Sequence, residues 1–591
     1  MRLSRTRGAT SGHPRLGRNR RLLAMTGLVV GVAAVGAAAS DAAAQVDVVT
    51  RASVDSTGIQ ANQHSISDGF AISADGRFVV FESSAWNLVP GDLNQTSDIF
   101  VHDRRTGATV RVSVSSAGTE ADESSFFPAL SADGRFVAFA SRATNLVGDD
   151  TNGMADVFVR DRDSDGNGVF DEDDGVTSRV SVDSNGMQGD LSSSGPSISA
   201  DGRYVAFDSS ATNLVAGDVN GATDVFVHDR VIGPTTRESV SSQGMEGNRY
   251  SQSAQISADG RFVAFDSESD NLVPNDVNGF RDVFVRDRVA GVTELVSVDS
   301  ASLQGNGPSG APVISADGRI VAFTTNATNL VAPDTNGDVD VLVRDRIAGT
   351  TARANADSSG VQGNYGAIYP AISGNGRFVA FASDAENLVA NDMNGKGDEF
   401  IHDVVTGETF AVSVNPAGAV ADSASFGYSA LSFDGKAVVF SSSATDLVAG
   451  DTNGYTDVFV DDRSAYATWS SYGDGHAGTL GIPALAPGWR PVLGSRITVD
   501  VGNSSLDYTV GAMFIGFEQT VIRSSWGGDL LVVPAITQLV GLSPWGARLF
   551  GDLPDDESLI GFSIDLQAIE VDAGAAKGMS FTQGLELLLG R

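Results

Sequence analysis

The apolar positions of this chain come in short bursts, not in long helical periods. Stretches such as residues 204–208 and 224–230 are rich in β-branched and aromatic residues and are bounded by glycine, asparagine or aspartate. Short runs of this kind between turn signals predict strands. Their imperfect alternation predicts sheets covered on both faces. The bursts also repeat. The stretch Ser257 to Arg288 (SADGRFVAFDSESDNLVPNDVNGFRDVFVRDR) has near copies beginning at Ser73, Ser131, Ser199 and Ser315, and looser ones at Ser373 and Ser432. Their central residues Asp75, Asp133, Asp201, Asp259, Asp317, Asn375 and Asp434 are 58, 68, 58, 58, 58 and 59 residues apart. A fixed period with strands in every copy marks a stacked or radial repeat protein.

Each unit predicts four strands. In the third copy these are Pro196 to Ser199, Tyr204 to Asp208, Asp224 to Arg230 and Thr236 to Ser241, with Ala200-Asp201-Gly202 as a tight turn between the first two. Four-stranded units repeated seven times predict the blades of a β-propeller. The first fourth-strand segment, Val49 to Asp55, precedes the first turn, and the last unit has no such segment after Asp461. Joining these ends closes the ring and removes two exposed sheet edges. The expected fold is therefore all-β: a seven-bladed propeller of four-stranded blades closed by the N-terminal strand, over residues 45–466. A small β-sandwich follows over residues 467–591. There the repeat stops, four of the five tryptophans gather, and glycine and proline punctuate the strand-like runs 496–501, 508–517, 530–533 and 559–570.

The block from Ser197 to Phe207, S-x-S-A-D-G-R-[FY]-V-A-F, resembles the repeat of TolB-like, WD-repeat-like β-propellers, whose turn is usually written SPDG. The resemblance covers residues 46–466 and implies the fold. It leaves function open, because propellers host scaffolds, lyases, hydrolases and binding modules alike. Here alanine stands where proline is usual, and the units are longer than the roughly 40–45 residues common in propellers. The C-terminal segment resembles modules found on secreted bacterial proteins, in Gly473-x-Gly475, Gly481-x-Pro483, Pro491-x-Leu493-Gly494, Leu559-Ile560-Gly561-Phe562 and Gln567.

Seven arginines, an apolar run from Leu22 to about Ala39 and the small residues Ala42-Ala43-Ala44 make residues 1–44 an expected export signal. The expected location is periplasmic, cell-surface or secreted, with no membrane span after signal removal. Cysteine is absent, so neither a disulfide framework nor a thiolate site is possible. Net charge is −35, and −41 without the arginine-rich leader. That excludes nucleic acid and anionic lipid as expected partners, since phosphates are held by clustered Lys and Arg. It suits divalent cations, or simply a soluble, self-repelling monomer.

Strand direction puts the SADG turns on a lower face. The longer connections between second and third strands, and those between blades, lie on an upper, acidic face, where a protein or glycan partner is expected. The upper loops carry D-x-N-G-x-x-D six times (Asp150, Asp218, Asp276, Asp334, Asp392 and Asp451 lead them), and the first copy, led by Asp92, has Gln95 for glycine. Oxygens at this spacing suit either calcium or an Asn-Gly turn with capping aspartates, the latter being expected of a motif repeated in every unit. The 68-residue spacing contains an insertion that matches a twelve-residue calcium loop. Asp163, Asp165 and Asn167 stand at positions one, three and five, Gly168 at six, the Val169 carbonyl at seven, Asp171 at nine and Asp174 at twelve. A second frame runs from Asp161 to Glu172 but puts glycine at position eight. Calcium is thus the expected cofactor. No G-x-S-x-G elbow, H-E-x-x-H motif or sialidase Asp-box is present. His102, His228 and His402 share one repeat position and are expected to be solvated strand ends. A binding scaffold is the first expectation, and an enzyme acting on a polysaccharide or similar polymer at the upper face is the alternative.

Overall fold

The computed structural model describes residues 31–33, 49–65, 69, 71–172 and 174–463, together with the strand segments and some connecting residues between 468 and 588. The expected leader (apart from 31–33), Asp173, and the C-terminal motif residues 473–483, 491–494 and 559–562 lie outside the described residues. The chain divides into two compact units, Asp47–Arg463 and Met1–Val46 with Ser464–Arg591. No described helix is long and apolar enough to cross a membrane.

The first unit consists of seven four-stranded antiparallel sheets. Blade 3 is typical: Ser193–Ile198, Tyr204–Ser209, Asp224–Asp229 and Thr235–Arg237, from the innermost strand outward. Blade 7 is built from Ala430–Leu431, Ala437–Ser442 and Asp457–Asp462, and Val49–Arg51 supplies its outer strand with Val49 opposite Asp461. The sequence therefore closes as a seven-bladed propeller. The poor alternation of the middle strands has a packing cause. Ala138, Val157 and Val159 of blade 2 meet Val205, Phe207 and Phe226 of blade 3, so both faces are buried. Within blades 1, 2, 3, 4 and 6 the phenylalanines of the second and third strands stack, as at 6.0 Å and 27° between Phe207 and Phe226.

The outer strands are shorter than expected. Thr235–Arg237 ends before Ser241 because Ser239 leaves the ladder to donate its hydroxyl to Asp224 Oδ1 at 2.5 Å. The chain then turns back, with a bridge between Val240 and Glu246.

The SADG turn does more than reverse the chain. Asp201 accepts the Ser199 hydroxyl (2.7 Å) and the Arg203 amide (3.0 Å), while Gly202 sits at φ 71°. A Cβ on Gly202 would lie 2.1 Å from the Phe136 ring of the preceding blade, so only glycine fits. The turns also bond to one another. Ala74 N donates to the carbonyl of Ala132, Ala132 to Ala200, Ala200 to Ala258, Ala258 to Ala316 and Ala316 to Gly374. Asn375 N donates to Phe433, and Phe433 N returns to Ala74 at 3.0 Å. This circle of amides explains why alanine replaces proline, which has no N–H to give. Ala200→Pro should therefore lower stability by about 1–3 kcal/mol, although proline rigidifies turns elsewhere. Urea melts check this, and an unchanged or raised midpoint would show that the amide circle contributes little.

Arginine fills the lower face for a related reason. Phe136 lies between Arg135 of its own blade (4.7 Å) and Arg230 of the next (4.5 Å). Arg135 forks onto Asp161 at 2.7 and 2.8 Å, and Arg230 donates to the Gly202 carbonyl at 2.6 Å. Phe78, Tyr204 and Phe262 are sandwiched likewise. Only a planar guanidinium can stack and fork at once, which accounts for there being three lysines among 39 basic residues.

One expectation is corrected here. His102, His228 and His402 are buried, with 7–8% exposure, and each Nδ1 is 2.9 Å from the hydroxyl of Thr109, Thr235 or Thr409. The same threonines bond the preceding blade's carbonyl, as Thr235 does to Val182 at 2.5 Å, so the histidines are wedged against an inter-blade tie.

In the second unit, Leu485–Pro487, Arg496–Val501, Ala547–Asp552 and Gly31–Ala33 form one sheet. The other contains Thr468–Tyr472, Gly584–Leu588, Ser563–Val571, Thr509–Arg523 and Asp529–Leu542, with Met579–Phe581 beside Ser563–Val571. Val499, Val501 and Leu549 of the first sheet share a core with Met513, Ile515, Leu566 and Leu585 of the second, which makes the unit a two-sheet β domain.

Candidate functional site

The insertion lies between the third and fourth strands of blade 2, Asp156–Asp161 and Val176–Arg179. Phe170 anchors it against Phe78 of blade 1, ring centres 5.3 Å apart. Asp163 is buried and its two oxygens accept the amides of Asn167 (2.9 Å) and Gly168 (3.0 Å). Asp165 also accepts the Asn167 amide, and Asp174 Oδ2 accepts the Asp165 amide at 3.0 Å, which holds the Asp174 carboxyl below its ordinary range. The carboxylates of Asp163, Asp165 and Asp174 thus converge within 4.8 Å, and Asp174 Oδ1 is enclosed without a hydrogen-bond partner. The remaining sequence positions are placed differently. Asn167 Oδ1 accepts the Val169 amide at 2.7 Å, the Val169 side chain is exposed, and Asp171 is turned away into a fork with Arg162 at 3.1 and 2.6 Å. The three converging acids suit a metal ion. Asp171 could join them only by leaving Arg162.

The D-x-N-G-x-x-D loops are built for structure. In blade 3, Asn220 Oδ1 accepts the Ala222 amide and Nδ2 donates to Asp224 (2.9 Å) and the Gly247 carbonyl (2.8 Å). In this loop the aspartates bind side chains, whereas the expected capping of a backbone amide is seen at Asp334, which accepts the Gly337 amide at 3.4 Å. Arg237 from the outer strand reaches Asp218 (3.6 Å), Asp224 (3.3 Å) and Glu246 together. Three carboxylates also converge in blade 1 (Asp92, Asp98, Glu120), with Arg111 among them. Burial and the neighbouring carboxylates still push Asp92 and Asp218 up to about 6.

A cavity of about 520 Å³ follows the innermost strands around the axis. These strands bulge where Phe127, Gly195, Ser253, Ala311 and Tyr369 adopt φ of 49–61°. Asp208 holds one bulge by accepting the amides of Ser253 (2.8 Å) and Ala254 (3.2 Å), and Asp266 holds the next at Ala311 (3.1 Å). Burial pushes Asp208 up to about 7. Tyr369 and Tyr428 lie with ring centres 4.6 Å apart, tilted by 47°, along the same wall. Sequence reasoning did not single out these residues. The signal was present as departures within a repeat column, since Asp208 occupies the place of Ala140, Thr324 and Ala382.

The closed ring of four-stranded sheets defines the protein as a seven-bladed β-propeller carrying a β domain. No family profile and no curated protein matches the chain. Solved structures similar to it include one described as TolB from Agrobacterium tumefaciens (15% identity, TM-score 0.33, 62% of this chain and 97% of that one). The WD40 repeats of RRP9 are similar at 10% identity and TM-score 0.37, over 71% of this chain and 99% of theirs. A prolyl endopeptidase is similar at 12% identity and TM-score 0.39, over 76% of this chain and 56% of its own.

Proposed function

We propose that the protein is an exported, non-enzymatic binding scaffold of the cell envelope or extracellular space, with its first 44 residues a leader whose removal takes the edge strand Gly31–Ala33 from the second unit's first sheet. The axial cavity carries this reading. Hydrolysis of a glycan ordinarily needs two carboxyl groups flanking the bond. Among the described residues, the carboxyl group lining this cavity belongs to Asp208, and its oxygens are committed to backbone amides. What the cavity offers is aromatic faces and neutral polar groups, the surface that receives a sugar ring or an extended peptide. A glycan and peptide array probed with wild type and with Tyr369→Ala/Tyr428→Ala tests the proposal. Binding lost in the double variant supports it. Binding that ignores the tyrosines moves the site, and release of shortened products would make the protein an enzyme.

Calcium at the inserted loop belongs to the same proposal, with Asp163, Asp165 and Asp174 as ligands and Asn167, the Val169 carbonyl and Asp171 completing the twelve-residue arrangement. An ion that binds only the folded chain stabilises it by about 2.7 kcal/mol at a hundred times Kd. Wild type should therefore melt higher in millimolar calcium than in chelator, and Asp163→Ala/Asp165→Ala should lose most of that gain. Equal shifts in both proteins would place the ion elsewhere.

A further inference from the structure

The seven upper loops are internal controls for one another. The outer-strand residue opposite the third-strand aromatic or leucine is Arg111, Arg179, Arg237, Arg353 and Arg51 in blades 1, 2, 3, 5 and 7. It is Leu295 in blade 4 and Ala411 in blade 6. A second column, set by the isolated bridges, reads Glu120, Gln188, Glu246, Gln304, Gln362 and Gln60, but Val420 in blade 6. Blade 4 compensates for its lost arginine, because Gln304 Nε2 donates to both Asp276 (2.7 Å) and Asp282 (3.0 Å). Blade 6 has neither the arginine nor the glutamine.

Its acids are nevertheless as buried as the others. Asp392 is 4% exposed and Asp398 fully buried, and Asp392 Oδ1 is enclosed with no hydrogen-bond partner. Asp398 Oδ1 accepts the Ser413 hydroxyl (2.8 Å), and Oδ2 accepts Asn394 Nδ2 (2.7 Å). Asp392 adds its repulsion to Asp398, Glu386 acts on Asp392, and Asp384 and the neighbouring Glu399 act on Asp398, all of them acidic, while the Asn394 amide offsets part of this at Asp392. In the equivalent place of blade 1, a single guanidinium nitrogen stands 3.7 Å from Asp92 and 3.5 Å from Asp98. We propose that a hard divalent cation, calcium or magnesium, occupies that place in blade 6, bound by Asp392 Oδ1 and Asp398 Oδ2 and keeping water on its remaining positions. The ion does in blade 6 what arginine does in five others. An uncompensated buried carboxylate pair is costly, and a cation of either kind offsets that cost.

The test uses the full chain in an Asp163→Ala/Asp165→Ala background, so that the inserted loop contributes nothing. After chelation, calorimetric titration with calcium chloride and with magnesium chloride should show one ion bound. Ala411→Arg should abolish that binding, or weaken it at least tenfold, while removing the thermal gain the ion gives. Asp392→Asn, nearly the same shape, should also abolish it and guards against an Ala411→Arg protein that fails to fold. A background protein that binds no ion overturns the proposal, as does binding unaffected by Asp392→Asn. Binding that appears only after Lys396→Ala would assign the counter-charge to Lys396 and also overturn it.

Discussion

Deleting residues 46–56 should abolish cooperative unfolding of the propeller and make it aggregate. Val49–Arg51 is the outer strand of blade 7, and its loss uncovers the edge of Asp457–Asp462. The damage does not end with the ladder. Arg51 is nearly buried and reaches Asp451 at 2.8 Å and Asp457 at 3.3 Å, so its removal strands two enclosed carboxylates. Ser53 donates to Asp457 at 2.6 Å, and the Val54 carbonyl accepts Thr109 of blade 1 at 2.5 Å. The segment thus ties blade 7 to blade 1. Removing one partner of a buried pair alone costs about 3–5 kcal/mol, which is comparable to the whole stability of many domains. Arg51→Ala should reproduce a large part of that loss without touching the backbone. Calorimetry and light scattering on both variants are the measurements. A truncated protein that melts like wild type would show that the ring closes without this strand.

That closure was readable from residue order alone, because seven turns and seven outer segments were out of phase by one. The repeat also exposed the strands, since packing on both faces leaves apolar bursts that no helix period mimics. What could not be read was which groups meet across blades. Nothing near His228 in sequence announces Thr235 and the Val182 carbonyl, so a buried histidine looked like a solvated one. The spacing of the inserted loop placed Asp171 among the ion ligands, but Arg162, nine residues earlier, takes it. The arginine and glutamine columns were legible in principle. They become meaningful only when the register shows that Arg111, Leu295 and Ala411 face the same point.

Stability should be greatest in mildly acidic solution, because several buried carboxyls are held neutral by the fold. Asp208 is pushed from 3.8 to about 7, chiefly by burial, with Asp266 adding repulsion and the Ser253 and Ala254 amides only partly opposing it. Asp92 is pushed to about 6 among Asp98, Arg111 and Glu120, and Asp218 to about 6 among Asp224, Arg237 and Glu246. Between 3.8 and these values the folded chain keeps protons that the unfolded chain has released. Stability therefore falls as pH rises through that window. Two sets of groups act in the other direction. Burial lowers His102, His228 and His402 from 6.5, so their contribution declines below that pH. Arg261 and the loop amides hold Asp287 near 2, and its stabilisation is lost progressively as pH falls from 3.8 toward that value. The carboxyls of Asp208, Asp92 and Asp218 should outweigh the three histidines, since their departures total several pH units and each unit corresponds to about 1.4 kcal/mol before solvent screening. Urea melts in chelator from pH 4 to 8 should show the highest stability at the acidic end, near pH 4, and Asp208→Asn should flatten the fall between pH 4 and 7 by on the order of 1–3 kcal/mol. A wild type whose stability keeps rising to pH 8 would mean that these carboxyls are ionised in the folded ring.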